Sequence, residues 1–519
     1  MARLYSNPQL SPNPLSNRPA VLESAYPTMI AFFFSSSGDK AHPRLGRAYL
    51  LALALAGALL WCLFFNWGDV PMHFMDWAEV WGARMQAWRN ALLHNTLPFH
   101  LNDLGAMRSA NDRYFAVADM VSSPQVLLLR WLEVGPYALV NNLLLYALAT
   151  WHLLQIRKRY ALSLFTFSAL FLIFHFNGFI VTHLAVGHLS WGGYYLFPAF
   201  VLLLLDLVEG RTSWRWVAGM ALTLFLIFMQ GSFHHLVWCF IALGSLAVLR
   251  PPHFFPAAQA LLFSLLLSMP RLLPALRARF ASLSQGLDFL GGYPSLADLL
   301  RALVYPSSPQ QAMPRLLVDS SLGYWEFDLF TGWVGLLFLL FGLGALAWWH
   351  ARARRFPYLL VPALLLIILS IADAFPRLLF HSPLAASERA TSRLAGLALV
   401  ILLILAAIYA QKALQALPSH PALALLQAGL LILLAYQLAR HTLGWSVVPA
   451  SLAFEVTPRD LSLVHIANRP DPNYYLMLGG GLLVSICSGA LLCWLARRTP
   501  RAAADLPIPL DESATSAKI

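Results

Sequence analysis

Apolar residues fill about a dozen separate runs along the chain, each roughly the 20 residues that a helix needs to cross a bilayer. Only helices and closed barrels satisfy their backbone polar groups inside hydrocarbon, and runs of this length favour helices. The pattern therefore predicts an all-α, polytopic transmembrane helical bundle with about twelve spans. The predicted spans are 48–66, 137–155, 162–180, 191–208, 217–231, 233–249, 257–274, 331–349, 357–374, 393–411, 421–439 and 475–495.

Arginine and lysine residues cluster in the connections between alternate spans. Short loops that carry such clusters stay in the cytoplasm, which is the positive-inside rule. The pattern therefore predicts that both termini are cytoplasmic. The clusters are Arg44 and Arg47, 157–159, Arg211 and Arg215, Arg250, 352–355, Lys412, and 497–498.

The same topology leaves four substantial loops on the extracytoplasmic side, at 67–136, 271–330, 375–392 and 440–474. Loops of this length are usually functional, because packed helices need only short connections. Segment 77–93 has apolar residues at helical spacing with charged residues between them. It is predicted to be either a short interfacial helix with its tryptophans at headgroup depth or a helix that docks on the domain surface.

Composition agrees with a membrane protein, since 59% of residues are hydrophobic, 11% are charged and the mean hydropathy is +0.63. The net charge of +11 lies largely in loops that the positive-inside rule explains, so no nucleic-acid partner is predicted. We divide the chain into a disordered cytoplasmic tail (1–45), a transmembrane core (46–412), a C-terminal transmembrane hairpin (413–498) and a second disordered tail (499–519).

Asp69 is the sharpest candidate catalytic residue, because it lies where the first span leaves the membrane. Partial desolvation there would raise the pKa of its carboxyl group and make it a better general base near neutral pH. The alternative is a structural role as a helix cap. Asp76, seven residues later, is the second candidate for the same role.

His183 and His188 lie at the end of the third predicted span, and we interpret them as the polar wall of a cavity between helices. Their five-residue spacing differs from the i,i+4 metal motif and no acid lies nearby in the sequence, so no metal and no cofactor are predicted. His234 and His235 are candidates to line the same cavity. Glu326 is either a metal ligand or the polar N-cap of the eighth span. The alternative for each of these histidines is an ordinary hydrogen-bonded position at the membrane interface, without a role in a site.

Arginine in extracytoplasmic loops needs an explanation, since positive charge is disfavoured there. Its planar guanidinium binds phosphate or pyrophosphate through two hydrogen bonds. Arg389 and Arg393 are the candidates for a phosphate site. The alternative for each arginine is an ion pair with a loop carboxylate.

Several motifs together resemble those of GT-C-type membrane glycosyltransferases, including the YfhO-like bacterial group. They are "GDVPMHFMDWAEVWGARMQAW" after the first span, "SSPQVLLLRWL", "THLAVGHLSWGGYYLFPAFVLLLL", "WEFDLFTGWVGLLFLLFGLGA" and "ERATSRLAGLALVILLILA". The similarity extends over most of residues 48–412.

The resemblance implies an enzyme of the bacterial inner membrane that transfers a sugar from a polyprenyl-phosphate donor to an extracytoplasmic acceptor. By this similarity Asp69 is the general base, Arg389 and Arg393 hold the lipid phosphate, and His183, His188 and Glu326 line the sugar cavity. Its partners are then the lipid-linked donor, membrane lipids and other membrane proteins. An Asp-x-Asp pair is absent from the first loop, so no metal requirement is expected.

Two other functions fit the same pattern. A transporter of lipid-linked saccharides would show inverted repeats and charges near the bilayer midplane. The charges instead cluster in the loops, which argues against transport. A non-catalytic membrane subunit would need only the aromatic-rich spans.

Overall fold

A computed structural model describes residues 33, 42–107, 112–282, 290–310, 323–354, 356–372, 374–378, 388–417, 420–457 and 459–499. Within these ranges the chain is all-helical, and extended residues meet only at isolated bridges. The predicted all-α class is therefore confirmed. The two tails predicted to be disordered lie almost entirely outside the described residues.

The first half of the chain builds ten helices. Several begin at a proline or at a polar cap, as in Ser163, whose side chain accepts a hydrogen bond from the backbone N–H of Thr166. The helices are α1 (Pro43–Phe64), α2 (Gly82–Leu93), α3 (Val134–Tyr160), α4 (Leu164–Phe176), α5 (Gly178–Ala185), α6 (Phe197–Val208), α7 (Trp214–Met229), α8 (Phe233–Leu249), α9 (Pro251–Leu267) and α10 (Met269–Ser282).

The second half adds eight helices, and eight 3₁₀ or π-helical turns connect elements along the described chain. The helices are α11 (Leu296–Ala302), α12 (Gly332–Arg352), α13 (Leu360–Leu369), α14 (Ala374–Leu378), α15 (Ala395–Ala416), α16 (Pro421–Gly444), α17 (Val447–Ala453) and α18 (Pro472–Arg498). The turns are Asn66–Gly68, Trp77–Trp81, Tyr114–Ala116, Pro124–Arg130, Leu189–Leu196, Tyr324–Glu326, Thr391–Leu394 and Leu461–Leu463.

Eight helical segments among the described residues are long and apolar enough to cross a membrane. A ninth is formed by α9 and α10 together, which are bent by 77° at Ser268, and α7, α8 and α13 are shorter apolar helices. Each of the twelve predicted spans overlaps one of these segments. Membrane-crossing capacity is thus confirmed for eight or nine of them, and the count of twelve stays a prediction.

The segments differ more in the share of each that is buried than in their mean hydropathy. Leu164–Ala185 and Pro43–Phe64 have the same mean hydropathy of 1.9, yet 94% of the first window is buried and only 17% of the second. Thr391–Ala416 is also enclosed, with 89% buried. Helices α4, α5 and α15 therefore form the centre of the bundle, and α1 and α18 present apolar surface towards lipid.

The described parts of the first and last long loops pack together as one layer, which we call the loop layer (residues 65–107, 112–133, 445–457 and 459–471). Bridges join Phe74 to Val456 and Leu101 to Ile466. Asp471 strengthens the layer, because it accepts hydrogen bonds from Arg113 Nε at 2.6 Å and from His100 Nε2 at 3.3 Å. The predicted C-terminal hairpin is thus tied to the core through its loop.

Segment 77–93 lies inside the loop layer. Trp77, Trp81 and Trp88 are all buried in protein, and the Trp77 indole N–H donates to the Ala185 carbonyl at 3.0 Å. These tryptophans therefore face protein, as the alternative of a docking helix predicts. Their depth in the membrane stays a prediction.

Candidate functional site

Five polar residues from separate parts of the chain meet where the loop layer covers the ends of α4 and α5. Their ring and carboxyl groups are mostly buried, which is unusual for ionisable groups and marks a functional site in a membrane protein. We call this set the histidine cluster, and it consists of Asp76, His183, His188, Glu326 and Arg393.

The backbone around Gly187 explains how Asp76 reaches the histidines. Gly187 has φ +93°, and a Cβ atom on it would lie 2.5 Å from the backbone nitrogen of Trp77. Only glycine permits this close approach. At the other end of α5, the side chain of Asn177 accepts from the Ile180 N–H and fixes where the helix begins.

The two histidines are hydrogen-bonded to each other, and a carboxylate lies near each end of the pair. Their Nδ1 atoms are 2.8 Å apart. His188 Nε2 lies 3.3 Å from Asp76 Oδ2, whereas His183 Nε2 lies 4.0 Å from Glu326 Oε2. His183 is fully buried, and its Nε2 has no hydrogen-bond partner in the described part of the chain.

Arg393 and Trp191 complete the wall around His183. The Arg393 guanidinium donates two hydrogen bonds of 2.5 Å to the two oxygens of Glu326. Burial is the largest single influence on the pKa of Glu326 and acts to raise it, but the charge and hydrogen bonds of Arg393 together with His188 lower the pKa by more, so the net shift is downwards and the carboxylate stays ionised. The Trp191 ring stacks on His183 with centroids 3.9 Å apart, and the Arg393 guanidinium lies 5.3 Å from the Trp191 centroid.

A second buried carboxylate, Glu388, adjoins this wall. It accepts from His234 Nδ1 at 2.7 Å and from the Trp238 indole N–H at 3.0 Å. Burial is the largest single influence on the pKa of Glu388 and acts to raise it, but His234, the Trp238 hydrogen bond and the charge of Arg393 together make the net shift downwards. His235 packs edge-on to Trp191 with centroids 4.7 Å apart, as expected for a residue that lines the same site.

The structure brings together five of the seven residues proposed from the sequence, and the other two are Asp69 and Arg389. Asp69 is exposed, and its closest described polar neighbour is the Asn66 amide, 3.4 Å from Oδ2. The desolvation that motivated its choice as a base is therefore not found. Arg389 is half-buried, and its backbone carbonyl accepts from the Leu290 N–H at 2.9 Å.

Glu326 is not the N-cap of α12, because Thr331 is the residue that precedes that helix. Arg393 forms a doubly hydrogen-bonded ion pair with Glu326, which is the carboxylate pairing that the sequence left open, and its phosphate role stays a prediction. Sequence reasoning also missed Glu388 and Trp191. The only available signal for Glu388 was its position five residues before Arg393 in the same motif.

His183, His188 and Glu326 offer donor atoms within 4.8 Å of one another, a spacing that a bound metal ion could draw together. The sequence argued against a metal because no acid lies near the histidines. That is true only along the sequence, since Glu326 lies near them in the fold. In the hydrogen-bonded pair of Nδ1 atoms, only one of the two neutral rings offers a deprotonated Nε2, so metal binding would require this hydrogen bond to be broken or its proton to be lost. The absence of a metal therefore stays a prediction.

No protein-family model matches the chain, and neither curated proteins nor solved structures provide a match. Function must therefore be argued from the chemistry of the site.

Proposed function

We propose that this protein is a membrane glycosyltransferase that moves a sugar from a polyprenyl-phosphate donor to an acceptor, with the histidine cluster at its reacting centre. One observation carries the proposal. Acid–base groups from the first loop, α5, the 3₁₀ turn at 324–326 and the start of α15 converge beneath the loop layer of an otherwise apolar bundle. In this proposal Asp76, rather than Asp69, is the first-loop carboxylate of the reacting centre, and it acts through the histidines.

The charge balance of the site suits glycosyl transfer. Three carboxylates, Asp76, Glu326 and Glu388, lie in or beside the histidine cluster, and the Arg393 guanidinium pairs with Glu326. Glycosyl transfer proceeds through a transition state with positive charge on the sugar ring, as in glycoside hydrolysis. Fixed carboxylates in a water-poor site stabilise that charge more strongly than water does.

The apolar helices suit the polyprenyl chain of the donor. A polyprenyl chain needs continuous apolar surface, which the lipid-facing sides of α1 and α18 provide. Arg389 stays our candidate for the donor phosphate, since it immediately follows Glu388 in the chain. Membrane lipids and other membrane proteins are the expected further partners, and no cofactor is required by this scheme.

A transfer assay tests the proposal. The purified protein in nanodiscs is supplied with a panel of polyprenyl-phosphate sugars, and release of the polyprenyl phosphate is measured. We expect turnover with at least one donor and a fall of about 10²-fold or more in Glu388→Gln, because the substitution removes a buried negative charge from the site. Glu133→Gln is the matched control, since Glu133 is 79% exposed. A wild type that is inert towards the whole panel would favour the non-catalytic subunit.

Reporter fusions test the orientation that the proposal needs. Fusions after Arg159 and Arg215 are expected to report the cytoplasm, and a fusion within 95–107 is expected to report the opposite side, because basic loops are retained inside. An external signal after Arg159 would place the histidine cluster on the cytoplasmic side and contradict the proposed acceptor location.

A further inference from the structure

Proton counting restricts the two histidines of the cluster to two arrangements. Each neutral imidazole carries one ring proton. One proton must lie between the two Nδ1 atoms, because they are 2.8 Å apart. The other proton is then on the Nε2 atom of whichever ring accepts this hydrogen bond.

The carboxylates decide between these arrangements. A proton on His188 Nε2 faces Asp76 Oδ2 at 3.3 Å, and a proton on His183 Nε2 faces Glu326 Oε2 at 4.0 Å, which is too long for a hydrogen bond. Glu326 is also already bound at both oxygens by Arg393. The first arrangement is therefore favoured, with His183 donating from Nδ1 to His188 and His188 donating from Nε2 to Asp76.

The geometry points to a directed proton path in which His183 Nε2 is the proton acceptor and Asp76 is the outlet. His183 is the catalytic base of this scheme, and His188 and Asp76 are positioning residues that hold its lone pair at Nε2. The direction in which protons move along this path rests on the proposed function, whereas the positions of the protons on the two rings do not. The side chain of Asp76 is 17% exposed, so its carboxyl group can release a proton to water.

The transfer step balances as follows. The acceptor O–H bond breaks and an N–H bond forms at His183 Nε2. His183 then gives its Nδ1 proton to His188, and His188 gives its Nε2 proton to Asp76. The electron pair left on the acceptor oxygen forms the new bond to the sugar, and the bond from sugar to phosphate leaves with its electrons on the phosphate.

His183 Nε2 and Glu326 Oε2 are 4.0 Å apart. The acceptor hydroxyl has one proton to donate, and His183 Nε2 is the atom that takes it, because Arg393 already binds both oxygens of Glu326. A hydroxyl hydrogen-bonded to Nε2 has the geometry that general-base catalysis requires.

Nitrogen-15 NMR of histidine-labelled, full-length protein in nanodiscs reads the arrangement directly and needs no substrate. Signals are assigned with His183→Gln and His188→Gln. In the wild type we expect His188 protonated at Nε2 and His183 protonated at Nδ1. In Asp76→Asn the neutral amide no longer selects this arrangement, so we expect a mixture of both tautomers. Asp76→Glu should restore the wild-type pattern.

Three outcomes would overturn the proposal. They are a wild-type His183 protonated at Nε2, two doubly protonated rings, and a pattern unchanged by Asp76→Asn. Addition of Zn²⁺ provides a further check, because joint binding by both histidines would abolish the Nδ1–Nδ1 hydrogen bond and replace the proton path by a metal site. Since all of these spectra are recorded without a sugar donor, they remain informative even if the glycosyltransferase assay fails.

Discussion

Asp76→Asn is expected to lower turnover by about 10²–10⁴-fold, the usual contribution of a positioned base and of the carboxylate that orients it. The substitution keeps the size of the side chain but removes the charge that faces His188 Nε2 at 3.3 Å. Both tautomers of the histidine pair are then populated, so the Nε2 lone pair of His183 is present in only part of the molecules. Initial rates with a saturating lipid-linked donor measure the effect, and donor binding should change much less than kcat.

Asp69→Asn separates this prediction from the one made on sequence similarity alone. Asp69 is exposed and its described polar contact is with Asn66, so the substitution should leave turnover within about twofold, as is usual for surface changes. If Asp69→Asn instead abolished turnover and Asp76→Asn did not, the reacting centre would lie at the end of α1. The histidine cluster would then be structural.

Sequence predicted the helices of this fold well, because bilayer-length apolar runs have few other uses. It could not predict which helices are central. Pro43–Phe64 and Leu164–Ala185 have equal hydropathy but opposite burial, since lipid and protein interior are equally apolar environments. The break between α9 and α10 was also missed, although Pro270 follows it directly.

The sequence could predict those contacts of the candidate site that join residues close together along the chain. His183 and His188 stand five residues apart in a glycine-containing segment, so their proximity could be inferred from sequence. Glu388 contacts His234, 154 residues away along the chain, and nothing in either segment indicates this contact. Asp69 was preferred over Asp76 because it lies nearer the first span. The fold reverses that order through the close approach of Gly187 to Trp77.

Arg393→Gln is expected to destabilise the protein by about 3–5 kcal/mol, because it leaves the buried Glu326 carboxylate without its cation. Glu326 is 5% exposed and receives both hydrogen bonds from this guanidinium. Glu326→Gln should cost a similar amount, since Arg393 then becomes the unpaired charge. Equilibrium unfolding in mixed detergent micelles measures both effects as changes in the free energy of unfolding.

The double substitution Arg393→Met with Glu326→Met distinguishes an unpaired charge from lost packing. Apolar replacement of both partners in a buried ion pair is often neutral or stabilising, so the double variant should lie within about 1–2 kcal/mol of the wild type. Arg301→Gln is the matched control, because the Arg301 side chain is 68% exposed in its pair with Asp298. It should change the free energy of unfolding by no more than about 0.5 kcal/mol. Equal losses in the double variant and the Arg393→Gln variant would mean that Arg393 stabilises the bundle through contacts other than Glu326, such as its contact with Trp191.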